Sequence, residues 1–243
     1  MNLGSIPVVP SGDTLLNTLV GPGRAGTQAW SRDGRRFRLV KAGAAALARG
    51  VLVRGYATNT GHLVMAPSVD VPIGAAKFAV VAGPGAGTNA PANTYAGGLA
   101  IVSTGPGQAQ VFAVKSHDAI VATAAFTIVL ESDESVQVAL TAAASKIDLI
   151  ANPYLGVVLT DASAAIPSGV TVGPIDANAW GMVQVEGLAA GLSDGAIAIG
   201  QAVSPSAAVG GAFVINSTTL PVIGVAVQAG VAARTFGVSL SLP

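Results

Sequence analysis

The sequence predicts an all-β protein, folded as β-sandwich or barrel domains with an extended N-terminal arm and built to oligomerise. Three observations carry that expectation. Hydrophobic residues make up 51% of the 243, yet Ala and Val dominate them, and 31 Gly and 14 Pro interrupt the apolar stretches. Such a composition lacks the Glu, Lys and Leu loading of helical proteins. Short apolar runs recur about every 8–15 residues between turn signals, the spacing of sandwiches and barrels rather than of βαβ units. Charged residues are only 10% of the chain, whereas a soluble monomer typically carries a surface that is about 25–35% charged.

Residues 1–30 read as the arm, because Pro7, Pro10, Gly12, Gly21, Pro22, Gly23 and Gly26 punctuate them too often for a helix. Asp33-Gly34 marks a tight turn into a strand at 36–40, with Phe37 and Leu39 on one face and Arg36 and Arg38 on the other. A small-residue connection over 43–49 leads through Gly50 into a strand at 51–53, and two more are expected around 63–65 and 78–81. The Gly/Pro-rich stretch 83–98 is expected to be an exposed loop or linker. Strand signals return at 99–103, 110–114, 119–130, 136–142, 146–150, 155–160, 180–186, 197–203, 211–215, 221–228 and 236–242. This gives a β-rich domain over 31–160, containing the loop, and a second β-rich domain, or second half of the same body, over 161–243. Helix should be scarce. Beyond residue 54 only Lys77, Lys115, Lys146 and Arg234 are available to guard sheet edges, so the edges are expected to be covered by other chains, as in a closed homo-oligomer.

The charges are unevenly placed. Residues 1–54 hold eight basic side chains against Asp13 and Asp33, a net +6, and the remainder holds four against ten acids, a net −6. A basic segment docking on an acidic surface, of another copy or of a neighbouring protein, is the preferred reading, with Arg24, Arg32, Arg35, Arg36 and Arg38 as the candidate contacts. Nucleic acid is disfavoured, because only Trp30 and Phe37 could stack bases there and the whole chain is neutral. Glycines and prolines break every apolar run before the length of a spanning helix, and the first residues lack the layout of a signal peptide, so no membrane role is expected.

Chemistry is equally sparse. With no Cys and only His62 and His117, neither thiol catalysis nor an imidazole-rich metal site is expected. Ser116-His117-Asp118 puts triad residue types side by side, but neighbours on a strand point to opposite faces and cannot align as nucleophile, base and orienter. Gly83 to Thr88 lacks the Lys-Ser/Thr ending of a phosphate loop. Glu131-Ser132-Asp133-Glu134 is read as a solvated turn rather than a Ca²⁺ loop, and Trp30 and Trp180 as buried indoles rather than a sugar platform. No cofactor is expected and no enzyme.

The stretch from Arg32-Asp33-Gly34-Arg35-Arg36-Phe37-Arg38-Leu39 through Ala44 to Val53 resembles a recurrent pattern in virion structural proteins of tailed bacteriophages. The likeness continues at Ala151-Asn152-Pro153-Tyr154-Leu155-Gly156, at Ala179-Trp180-Gly181-Met182-Val183, at Ala198-Ile199-Gly200-Gln201-Ala202 and at Pro221-Val222-Ile223-Gly224-Val225. It implies a capsid decoration, or cement, protein on the outer surface of the phage head. Such a protein would bind the major capsid protein and itself, commonly as a trimer, and bridge capsid subunits to stabilise the shell. The alternative is a head-fibre or tail-associated module that binds the host through the 83–98 loop with Tyr95.

Overall fold

The computed structural model describes residues 24–57, 59–84, 87–161, 166–216 and 220–242, and the backbone of 8–9. Most of the expected arm, 1–7 and 10–23, lies outside the described residues. As expected, the described chain is almost entirely strand and turn; its one helical element is a 3₁₀ turn at Thr60–His62. Among the described residues no helix is long and apolar enough to cross a membrane.

The chain divides into two compact units, residues 1–57 with 153–243, and residues 58–152. The expected boundary near residue 160 is therefore not where the structure parts; the second unit is inserted into the first. The insertion sits between strands β4 (Leu52–Arg54) and β11 (Leu155–Leu159), which pair antiparallel with Val53 opposite Leu159. The chain thus leaves and re-enters the outer unit on adjacent strands, a geometry that leaves the host ladder unbroken. Where the two crossings touch, a Cβ on Gly55 would lie 2.5 Å from the Pro153 carbonyl oxygen, so only glycine fits.

In the outer unit β3 (Arg36–Ala42), β11, β4, β12 (Pro167–Thr171) and β13 (Trp180–Leu192) pair in that order, and β13 pairs back onto β3. This ring is closed. A second ring shares β13: it runs through β17 (Thr235–Ser241), β16 (Gly224–Ala226), β14 (Ala202–Pro205) and β15 (Phe213–Ile215), and returns where Ser193 bridges Phe213. The strand β2 (Gln28–Ser31) flanks β3, and β1 (Val8–Val9) flanks β2. In the inserted unit β10 (Lys146–Ile150), β7 (Leu99–Thr104), β8 (Val111–His117), β9 (Ala125–Leu130), β6 (Lys77–Val81) and β5 (Ala66–Pro67) form one ladder. Met65, next to β5, exchanges backbone hydrogen bonds of 3.0 and 2.8 Å with Ile147 of β10 and closes it. Closure removes sheet edges outright. Among the described strands the rings therefore leave few open edges, with β1, beside β2, at the end of its sheet.

One local device builds these rings. Leu47 bridges Ile175, Val71 bridges Leu140, Ala90 bridges Ile120 and Ile197 bridges Gly230, each as an isolated pair just ahead of a turn and a strand. Three residues after seven of these eight positions the backbone is left-handed, at Gly50, Gly74, Asn93, Thr123, Asn178, Gly200 and Ala233, with φ between 59° and 85°. Backbone bonds such as Ala124 N to Val121 O and Arg234 N to Val231 O, both 3.0 Å, close the turns, as in type II. The repeat also explains the strands misread from sequence. Residues 119–124, 136–142 and 197–201 look like strand because the bridging apolar residue and its turn mimic a short apolar run.

Each unit has its own core. Val40, Leu52, Val183, Phe213 and Phe236 lie in the first, with the Phe213 and Phe236 rings edge to face at 5.8 Å. Val80, Phe112, Phe126, Ile128 and Leu149 lie in the second. The expected alternation on β3 holds, with Phe37 and Leu39 buried between half-exposed Arg36 and Arg38. Residues 63–65 are not a strand: Val64 takes φ 55° and follows the 3₁₀ turn.

The turns supply a stability test. Ala233 carries a Cβ at φ 59°, whereas Gly200 occupies the matching turn position at φ 83° with open space around it. A left-handed L-residue costs about 1–2 kcal/mol, partly offset by the lower entropy of its unfolded state. Ala233→Gly should therefore stabilise the protein by about 0.5–1 kcal/mol and Gly200→Ala destabilise it by a similar amount, as read in urea unfolding. Equal signs for the two changes would refute the turn assignment.

Candidate functional site

The five arginines expected to make contacts separate into two groups. Arg35 Nε lies 2.8 Å from Asp33 Oδ2 and its guanidinium sits over the Phe37 ring. The Ser31 hydroxyl first, then the Arg35 backbone and guanidinium, holds the Asp33 carboxyl below the usual carboxylate range. Arg36 stacks over Trp30 and meets the Glu186 carboxylate as a charge contact without hydrogen-bond alignment. Arg38 donates to the Gly26 carbonyl at 3.0 Å and covers the Tyr154 ring. These three are spent on holding β2 and β3 together. Arg24 and Arg32 are exposed, and no ion pair among the described residues involves them. Trp30 is about a third exposed and Trp180 half-buried, so neither is the buried indole expected.

A cleft of about 550 Å³ opens in the outer unit, with an apolar lining that includes Val170, Leu188 and Phe236. Arg35 and Arg49 are its only charged residues. Arg49, on the turn ahead of β4, takes part in no ion pair among the described residues. Sequence reasoning passed over Arg49, because nothing local shows that its turn meets β13 and β17.

The inserted unit carries the acidic turn. Glu134 N–H donates to Glu131 O at 3.0 Å, and the Glu134 carboxylate accepts the Ala113 N–H. The turn reading thus holds, and no metal-holding group of carboxylates and imidazoles occurs among the described residues. Exposed aliphatic side chains gather on the bridge-turn devices. Val69, Ile73 and Val138 flank the Val71–Leu140 bridge of this unit; Ile199 and Val231 flank the Ile197–Gly230 bridge of the other, with Ile73 67% and Ile199 69% exposed.

The 83–98 stretch is not an exposed loop throughout. Thr88 and Tyr95 are buried, and Tyr95 hydrogen-bonds through its hydroxyl to His62 Nδ1. Tyr95 is thus withdrawn from any surface and cannot serve as the host contact expected of it. His117 is buried beside it: Nε2 accepts the Tyr95 N–H at 2.9 Å and Nδ1 faces the Asp118 carbonyl oxygen at 2.6 Å. The Asp118 carboxylate instead accepts the Thr127 N–H at 3.0 Å. Ser116, His117 and Asp118 therefore do not form a proton relay.

No protein-family model, curated protein or solved structure matches the chain.

The division of the arginines is testable. Arg36→Ala and Arg38→Ala should each destabilise the outer unit by on the order of 1 kcal/mol, from a lost ring contact together with a partly exposed charge or hydrogen-bond contact. Arg24→Ala and Arg32→Ala should stay within about 0.5 kcal/mol of the parent in urea unfolding. The reverse order would show that the exposed pair, not the stacked pair, holds the unit.

Proposed function

We propose that this protein is a capsid decoration (cement) protein that self-associates, binds the major capsid protein on the outer surface of a phage head, and stabilises the shell by bridging its subunits. It acts by binding and not by catalysis. One observation carries the reading: in a chain with 10% charged residues, aliphatic side chains such as Ile73 and Ile199 stand on turn apices two-thirds exposed. Apolar groups presented in this way on several turns offer area that a partner could bury, which supports the reading.

Charge supports the same reading. Residues 1–57 with 153–243 hold nine basic against six acidic residues, and residues 58–152 hold three against six, leaving +3 and −3 on the two units. Copies bearing such opposite charges attract one another, with Arg49 of the cleft and the Glu131–Glu134 turn as local charges of each sign. Repeated weak contacts over a shell add up to lasting attachment. A trimer is the oligomer that the phage resemblance implies, and the capsid surface of the virion is the location. The burial of Tyr95 leaves the host-binding alternative without the residue that motivated it.

Sedimentation with heads assembled from the same phage's major capsid protein tests this. The parent should run as an oligomer and pellet with expanded heads, and Arg24→Glu with Arg32→Glu should weaken head binding by about tenfold while raised salt weakens it further. A stable monomer that leaves the heads bare would end the proposal.

A further inference from the structure

The chain has only two histidines, and both are buried in the inserted unit on either side of one residue, Tyr95. The hydrogen-bond partners fix their tautomers. His62 Nε2 faces the Thr88 carbonyl oxygen at 2.6 Å, so that nitrogen carries the proton and Nδ1 accepts from the Tyr95 hydroxyl. His117 is arranged the opposite way: Nδ1 donates to the Asp118 carbonyl oxygen, and Nε2 must accept the backbone N–H of Tyr95. A ring that must accept at one nitrogen is neutral. A proton added to His117 Nε2 would set two N–H groups against each other, break the bond to Tyr95 and place a charge among the Phe126 and Tyr95 rings.

The consequence reaches the backbone because this bond is one of several tying 88–98 to β8. Asn93 N–H donates to His117 O at 3.2 Å, and the Asn93 side chain accepts the His117 N–H at 3.0 Å. Gly97 N–H donates to Val114 O at 2.7 Å, and Val114 N–H returns to Gly98 O at 2.9 Å. The titratable groups facing His117 are His62, Tyr95 and Asp118. Burial pushes the His117 imidazolium to a lower pKa than the ordinary 6.5, and the Asp118 carbonyl and charge oppose this only in part.

We infer that His62, Tyr95 and His117 form an acid-sensitive latch: protonation of His117 frees residues 88–98 from β8 and loosens the inserted unit, while the histidine-free outer unit stays closed. The direction follows from linkage. The opened state binds the proton more readily than the closed one, so the latch holds fully above about pH 6.5 and weakens as the pH falls below it. The device concerns the stability of one unit and stands whether or not the protein decorates a capsid.

Hydrogen exchange on the full chain, corrected for the intrinsic pH dependence of amide exchange, tests it between about pH 7.5 and pH 5.5. Protection at Asn93, Tyr95, Gly97 and Val114 should fall by up to tenfold per pH unit below about 6.5, with the β3–β13 amides unchanged. In His117→Gln, whose side-chain oxygen can still accept from Tyr95, that dependence should largely disappear. If this variant does not fold, the ring nitrogen shifts of the two parent histidines decide. His117 should remain in the Nδ1–H form below pH 6.5 and titrate only as the Tyr95 amide signal moves. Protection that is constant through this range, an equal loss in both units, an unaltered dependence in His117→Gln, or a His117 ring that titrates near 6.5 beside an unmoved Tyr95 amide would each overturn the latch.

Discussion

Closure of the hydrogen-bond ladder is the constraint on which the rest of this structure depends. A chain with few charges has little with which to guard a sheet edge. Here the described strands solve the problem topologically: β13 is shared by two rings in the outer unit, and the Met65–Ile147 pair completes the ring of the inserted unit. Within the rings, the backbone donors and acceptors that would otherwise template aggregation are paired within the chain, and β1 ends its sheet beside β2. Apolar surface can then be spent on turn apices, where it does not invite edge-to-edge pairing.

The same constraint explains how one unit is inserted into the chain of the other without breaking its ladder. Because β4 and β11 are neighbours in a closed ring, the inserted residues depart and return through a gap one strand spacing wide, and the contact of Gly55 with Pro153 marks how tight that gap is. Each unit also carries the bridge-turn device twice over as a pair of bridges. Its left-handed position takes Gly, Asn, Thr or Ala, so the device lacks a fixed sequence signature.

That variability sets what could be read from residues alone. Strands with clean alternation, such as Arg36–Val40, or with unbroken apolar runs, such as Phe78–Val81, were legible because period and burial agree. The insertion was not, because nothing local at Ala57 or Asn152 distinguishes a unit boundary from a loop. The basic segment was legible as a charge cluster only. That Arg36 would be engaged by Trp30 and Glu186, and Arg38 by Tyr154, depends on residues as much as about 150 positions away. Tyr95 was misplaced for a related reason: a Gly/Pro-rich stretch signals irregular backbone, and irregular backbone can still be buried when side chains such as His62 and His117 satisfy it.

The proposed function draws on what closure leaves over: exposed aliphatic turns, two exposed arginines that join no ion pair among the described residues, and units of opposite charge. The most direct measurement is a reconstruction of phage heads with and without the protein. The account predicts difference density confined to the outer face, with β-rich units contacting more than one capsid subunit. Heads that show no such density, or density confined to the interior, would contradict it.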